Sequence, residues 1–324
     1  MPSDLLARSS RARWALRGLL ASVLVLAIVY MVPTQELISA LSEVSLGDVG
    51  ILLVLSFLLI AVSVVKWSLF LRHLGISSSF WRLFGLYLIG YFVNVFTPSF
   101  IGGDVVRSMA LGPQVNRAHA VSATALERYT GIVAMLMMAL CACFFSRVTT
   151  PQIFLVVVAA VVGCIVATWM ILRGWLNALA KRVGLPTKVI RIVETVHEGL
   201  LIGARDRDLL LKALGLSVAF HLLTVVNTAA VGMAVGWTEI PWLGLLVVVP
   251  LILLIGAVPI SPQGLGIQEG AFVFFLHAVG ATTGQALAIA LVLRAKSYLL
   301  ALAGGLIWVF TKGFSGSHRL RGGS

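Results

Sequence analysis

The sequence predicts an all-α polytopic membrane protein, arranged as an inverted-topology repeat with two re-entrant helical hairpins. Three observations lead there. Of 324 residues, 60% are hydrophobic and 11% charged, where a soluble domain carries about 25% charged residues. The basic residues gather between apolar runs. Two broken segments, TPSFIGGDVVRS at 97–108 and PISPQGLGIQEG at 259–270, interrupt apolar sequence once in each half. Backbone opened against lipid leaves N–H and C=O groups unpaired at a steep cost, so such breaks persist only where protein or a polar cavity covers them. A matched pair of them points to a transporter-type binding site.

The elements follow in order. Arg8, Arg11, Arg13 and Arg17 precede an apolar run at 18–32, and 16–32 makes the first candidate span. A small-residue cleavage site does not follow it and more apolar segments come after, so it reads as a retained first helix rather than a signal peptide. The linker to the next span, 49–71, holds Glu36, Glu43 and Asp48. Positive charge stays cytoplasmic, which places the N-terminus inside and this linker outside. Residues 83–97 end at Pro98, and a second short piece runs from Asp104 to about Gln114; neither spans comfortably. Residues 118–146 and 152–172 each cross. The segment 173–212 carries Arg173, Lys181, Arg182, Lys188, Arg191, Arg205, Arg207 and Lys212 and belongs in the cytoplasm. Parity then requires 83–116 to enter and leave on the cytoplasmic side.

The second half repeats this upside down. Residues 211–234 run outward, 243–258 descend to Pro259, 267–281 climb back, and 284–310 return to a tail bearing Lys312, Arg319 and Arg321. One transmembrane domain over 1–324 results, with repeat one at about 16–146 and repeat two at about 152–310. Both termini are cytoplasmic and the expected home is the plasma (inner) membrane. Eight or nine ordinary spans without hairpins is the alternative. Within 173–212, apolar positions from Trp175 to Val196 interleave with charges around a break at Gly184–Pro186, as in an interfacial amphipathic helix or a solvated linker.

The net charge of +12 fits headgroup attraction rather than nucleic acid. Cys141, Cys143 and Cys164 lie in apolar runs without metal-ligand spacing and read as small core residues. His221, His277 and Asn227 read as hydrogen-bonded packing. Neither a metalloprotease helix, a serine-hydrolase elbow nor a phosphate loop occurs, and no cofactor or metal is expected.

Charges inside apolar segments are functional candidates: Lys66, Asp104, Arg107, Glu127, Arg128, Glu269, Arg294 and Lys296. Lys66 lies near a span end and is expected to snorkel. Gly102 and Gly103 precede Asp104, which suits a helix N-cap or a phosphate-facing backbone nest. Arg294 and Lys296 sit well inside 284–310, where a guanidinium needs a carboxylate or phosphate. Glu269, in the first turn after the second break, is its natural counter-ion. Asn94, one turn before Pro98, is placed to satisfy freed backbone.

Taken together, Asn94, Pro98, Gly102-Gly103-Asp104, Arg107 and Glu127-Arg128, then Pro259, Ser261-Pro262, Gly264-Leu265-Gly266 and Glu269-Gly270, resemble the lysylphosphatidylglycerol synthetase/flippase membrane-domain family. The resemblance runs from about residue 16 to 310. It implies a lipid-translocating membrane domain. In two-domain members a cytoplasmic domain transfers an amino acid from aminoacyl-tRNA to phosphatidylglycerol. After residue 310 this sequence has only a basic tail, so lysyl-lipid synthesis is not expected and the chain reads as a non-enzyme.

The expected function is movement of a phospholipid, or a polyprenyl or hopanoid lipid, between leaflets. Gly102, Gly103 and Arg107 would meet the headgroup from one side, and Gly264, Gly266, Arg294 and Lys296 from the other. Asp104, Glu127, Arg128 and Glu269 complete the site, with proton coupling through a carboxylate. The partner is a membrane lipid, and a homodimer is compatible. A membrane-embedded enzyme acting on lipid-linked sugars, through Glu194, Glu198, Asp206 or Asp208, and a non-transporting scaffold in lipid synthesis are the alternatives.

Overall fold

The structure, a computed structural model, describes residues 34–97, 101–112, 114–146, 150–184, 206–258 and 263–317, with 187, 190, 191, 193, 194, 197–199, 201 and 261. The first predicted span at 16–32, and the prolines at 98, 259 and 262, lie outside the described residues. The described helices are α1 (Thr34–Ser42), α2 (Leu46–His73), α3 (Phe80–Val95), α4 (Ile101–Met109), α5 (Arg117–Phe145), α6 (Pro151–Leu172), α7 (Trp175–Arg182), α8 (Arg207–Ala234), α9 (Trp242–Gly256), α10 (Ile267–Ala278) and α11 (Thr283–Ser317). The chain is all-helical among the described residues, as predicted.

Among the described residues, five helices are long and apolar enough to cross a membrane: α2, α5, α6, α8 and residues Thr283–Phe310 of α11. The helices flanking the breaks are not. At 1.5 Å per residue, α3 rises about 24 Å, α4 about 14 Å, α9 about 22 Å and α10 about 18 Å, against a hydrocarbon core of about 30 Å.

Local chemistry sets the helix ends. Ser45 caps α2 by accepting from the Asp48 N–H, and Asp48 accepts from the Ser45 N–H at 2.9 Å, a reciprocal pair. Asn116 caps α5 and Thr150 caps α6, where Pro151 takes the first turn and needs no N–H partner. Asp206 accepts from the Leu209 N–H at 3.0 Å, so α8 begins at Arg207, earlier than the predicted 211.

The packing exchanges partners between the halves. The short helix before each break packs on the last long helix of the other half: α3 on α11, and α9 on α5. Between these pairs α2 lies against α8. One apolar core, including Trp67, Phe70, Leu83 and Leu126, joins α2, α3 and α5. A second, including Leu245, Ile252, Leu276 and Ile289, joins α9, α10 and α11. Helix α6 stands apart, with only Ile153 and Val157 buried, so its apolar surface faces outward.

Glycine permits the tightest contacts. A Cβ on Gly304 of α11 would overlap the Leu88 carbonyl oxygen of α3, and one on Gly305 would press the Phe92 ring. The backbones of α3 and α11 therefore touch directly.

Two expectations are corrected. The linker after the first span holds a helix, α1, that packs on α11; Leu37 and Ala40 turn inward, and its short run of apolar residues was read as connection. Lys66 does not snorkel: it is buried and donates to Ser217 Oγ of α8 at 3.0 Å. A third expectation is kept: within 173–212, α7 ends at Arg182, and Gly184, two residues on, takes a φ of 68° at the predicted break.

Candidate functional site

The first break delivers four charges from two helices. Asp104 and Arg107 lie on α4, one turn apart; Glu127 and Arg128 are neighbours on α5. Adjacent helical residues point about 100° apart, so Glu127 and Arg128 take different partners rather than each other. Arg107 Nη2 donates to Glu127 Oε2 at 2.7 Å and its Nε to Asp104 Oδ1 at 3.1 Å. Arg128 clasps the same Asp104 with Nε at 2.7 Å and Nη2 at 2.8 Å. The Tyr87 hydroxyl donates to Glu127 Oε1 in a short contact.

Two aromatic faces enclose Arg107. Its guanidinium carbon lies 4.5 Å from the Trp67 ring centre and 4.2 Å from that of Tyr87, an arrangement that offsets loss of water around the cation. Arg107 is 1% exposed and the Arg128 side chain 50%. This difference separates their roles: Arg107 is sealed in, and Arg128 presents its remaining edge outward.

The glycines preceding Asp104 serve close approach. The Gly103 N–H donates to Asn94 Oδ1 at 2.7 Å, as expected of an Asn one turn before the break. A Cβ on Gly103 would strike that oxygen and the Gly90 carbonyl, and one on Gly102 would strike Thr97. The two arms of this hairpin therefore close backbone to backbone.

The second break is built the same way with fewer charges. Glu269, in the first turn of α10, accepts from the Gly266 N–H at 2.7 Å and forms a close ion pair with Arg294 of α11. Gly264 and Gly266 take left-handed φ values of 68° and 82° that let the loop turn into α10. Arg294 also donates to the Gln263 carbonyl at 3.4 Å and to Gln268 Oε1 at 3.5 Å. Lys296, two residues on, turns to another face and donates to Asn227 Oδ1 of α8 at 2.9 Å. The structure thus pairs each of the three carboxylates with an arginine. It leaves Lys66 and Lys296 on neutral oxygens among the described residues.

The two breaks meet. The Gln263 N–H in the second loop donates to the Thr97 carbonyl in the first, at 3.4 Å. His221 Nε2 donates to the Gly131 carbonyl at 3.0 Å and His277 Nδ1 to the Ala281 carbonyl at 3.0 Å, consistent with packing. The acids weighed for an enzyme sit elsewhere: Asp206 caps α8, Asp208 pairs with Lys212 at 2.6 Å and Glu194 with Lys181 at 2.9 Å.

Sequence reasoning missed Trp67, Tyr87 and Gln263. Trp67 had a readable signal, since a Trp beside an intramembrane lysine in a span is a natural cover for buried charge. Gln263 had one too: it is the only amide between the prolines and glycines of the second break.

A family model, lysylphosphatidylglycerol synthase TM region, matches residues 14–305. Among curated proteins, a UPF0104 membrane protein of Methanothermobacter thermautotrophicus is 25% identical over 321 residues, covering 91% of this chain and 94% of the relative. A second from the same organism is 23% identical, covering 93% of each. UPF0104 membrane protein MJ1595 of Methanocaldococcus jannaschii is 22% identical, over 87% of this chain and 90% of its own length. No solved structure matches the chain. With five apolar helices among the described residues long enough to span a bilayer and a family match over almost its whole length, this integral membrane protein belongs to the lysylphosphatidylglycerol synthase TM region family.

Proposed function

We propose that this chain is a lipid translocase rather than an enzyme, moving a phosphate-bearing lipid between the leaflets of the plasma (inner) membrane. The observation that carries this reading is Arg128. It is held side-on by Asp104 at the first break, yet half its side chain is open. A fixed guanidinium with a free edge at bilayer depth is a site for a phosphate. The headgroup lies between the hairpins. Gly102, Gly103 and Arg128 shape one wall, with Arg107 sealed behind them; Gly264, Gly266 and Arg294 shape the other, with Lys296 behind it on the α8 side. Asp104, Glu127 and Glu269 hold the arginines apart when no lipid is bound. Protonation of one of them couples movement to a proton gradient.

The hairpins are re-entrant and the repeats inverted in this reading, supported by the shortness of α3, α4, α9 and α10 and by the exchanged packing of α3 on α11 and α9 on α5. Cysteines placed at Ser79 and Val115 should then label from the cytoplasm, and ones at Pro241 and Thr282 from outside. Transport is tested by reconstituting the protein in liposomes with a fluorescent phospholipid and quenching the outer leaflet. Protein-loaded vesicles should lose the protected fraction, and Arg128→Ala should slow this at least tenfold while the protein stays folded. Equal rates in loaded and empty vesicles would sink the proposal.

A further inference from the structure

The second break holds polar atoms that its ion pair does not use. Ser261 Oγ and Gln263 Oε1 are both buried, and neither has a hydrogen-bond partner among the described residues. Ser261 is 0% exposed and Gln263 6%. Buried polar atoms are nearly always satisfied, so two orphans two residues apart call for an explanation. Gln263 is also the one non-glycine residue with positive φ among the described residues, at 49°. Held strain of this kind collects at ligand sites. The same residue sits where the two breaks touch, its N–H on the Thr97 carbonyl and its own carbonyl taking Arg294.

The chemistry of these atoms narrows what fits. An amide oxygen only accepts, and a phosphate brings only acceptors at neutral pH, so phosphate alone leaves Gln263 Oε1 unsatisfied. The missing group is a donor. An ammonium here would lie beside the Arg294 guanidinium, which already donates to the Gln263 carbonyl and pairs with Glu269, so like charge disfavours it. A neutral hydroxyl meets the requirement: it donates to Gln263 Oε1, and a second exchanges a hydrogen bond with Ser261 Oγ.

We infer that Ser261 and Gln263 form a hydroxyl-recognition subsite at the junction of the two breaks, selecting lipids whose phosphate carries a polyol, glycerol or sugar, over those carrying ethanolamine or choline. This rests on the translocase reading and names its substrate class.

The test uses the full chain in two formats. In liposomes, tail-labelled phosphatidylglycerol, a tail-labelled glycosyl phosphate lipid, phosphatidylethanolamine and phosphatidylcholine are compared. In detergent, thermal stabilisation by the same four lipids is measured. Wild type should favour a hydroxylated headgroup by roughly tenfold, the ratio that about 1.4 kcal/mol of differential hydrogen bonding gives. Which of the two hydroxylated lipids leads identifies the source. Gln263→Met and Ser261→Ala should each bring the ratio of hydroxylated to choline lipid close to one. Equal treatment of all four lipids by wild type, or a preference that survives both substitutions, would overturn the inference. If no lipid moves but the hydroxylated ones still stabilise selectively, translocation fails and the subsite stands.

Discussion

Replacing Glu127 by Leu tests the charge cluster most directly. The carboxylate holds Arg107 Nη2 at 2.7 Å and accepts the Tyr87 hydroxyl. Arg107 is 1% exposed, and its other ion partner, Asp104 at 3.1 Å, is shared with Arg128. Breaking a buried pair by removing one partner costs about 3–5 kcal/mol, and the remaining Asp104 puts this case near the low end. The orphaned Tyr87 hydroxyl adds about 1 kcal/mol. The sum is about 4 kcal/mol. The double variant Arg107→Met with Glu127→Leu removes both charges and leaves Asp104 with Arg128. It should recover to within about 1 kcal/mol of wild type, because replacing a buried ion pair with apolar groups is often neutral. Equilibrium unfolding in mild detergent, followed by tryptophan emission, measures all four corners of the cycle. A Glu127→Leu protein within about 1 kcal/mol of wild type, or a double variant as weak as the summed singles, would refute the reasoning.

Other substitutions probe separate contacts. Asn94→Ala leaves the Gly103 N–H without its acceptor and should cost about 1 kcal/mol by the same unfolding measurement, with Asn94→Asp retaining most of it. Gly304→Ala drives a methyl into the Leu88 carbonyl and should cost about 1–3 kcal/mol. Gly163→Ala, with open space around it, should be neutral or slightly stabilising. Lys66→Met removes a buried ammonium whose partner is the neutral Ser217, so its melting temperature should equal or exceed that of wild type.

Much of the architecture was legible because apolar length and charge placement are one-dimensional signals. The ends of α5, α6, α9 and α11 fall within a residue or two of the runs at 118–146, 152–172, 243–258 and 284–310, apart from the longer tail of α11. The Glu269–Arg294 pair and the Asn94 acceptor were readable because each answers a local need: a counter-ion for a buried guanidinium, an oxygen for a freed N–H. Partner choice was not readable. That Glu127 serves Arg107 and Arg128 serves Asp104 depends on how α4 lies across α5, which no spacing states. Lys66 misled for a similar reason. Nearness to a span end suggested snorkelling, and only the approach of α8 shows that Ser217 holds it inside. Helix α1 was missed because a stretch of nine residues carries too few apolar positions to separate a packed helix from a connection.

The contact of Gly304 with the Leu88 carbonyl has a mechanical consequence. Backbones in direct touch leave no side-chain layer to slide or deform. The first hairpin and the final helix therefore move as one piece, although they belong to opposite halves of the chain. If the protein alternates between an inward-open and an outward-open shape, the slip plane cannot run between α3 and α11. Any relative motion of the halves has to be taken up at other contacts, such as that of α2 with α8, where Lys66 donates to Ser217 across the interface.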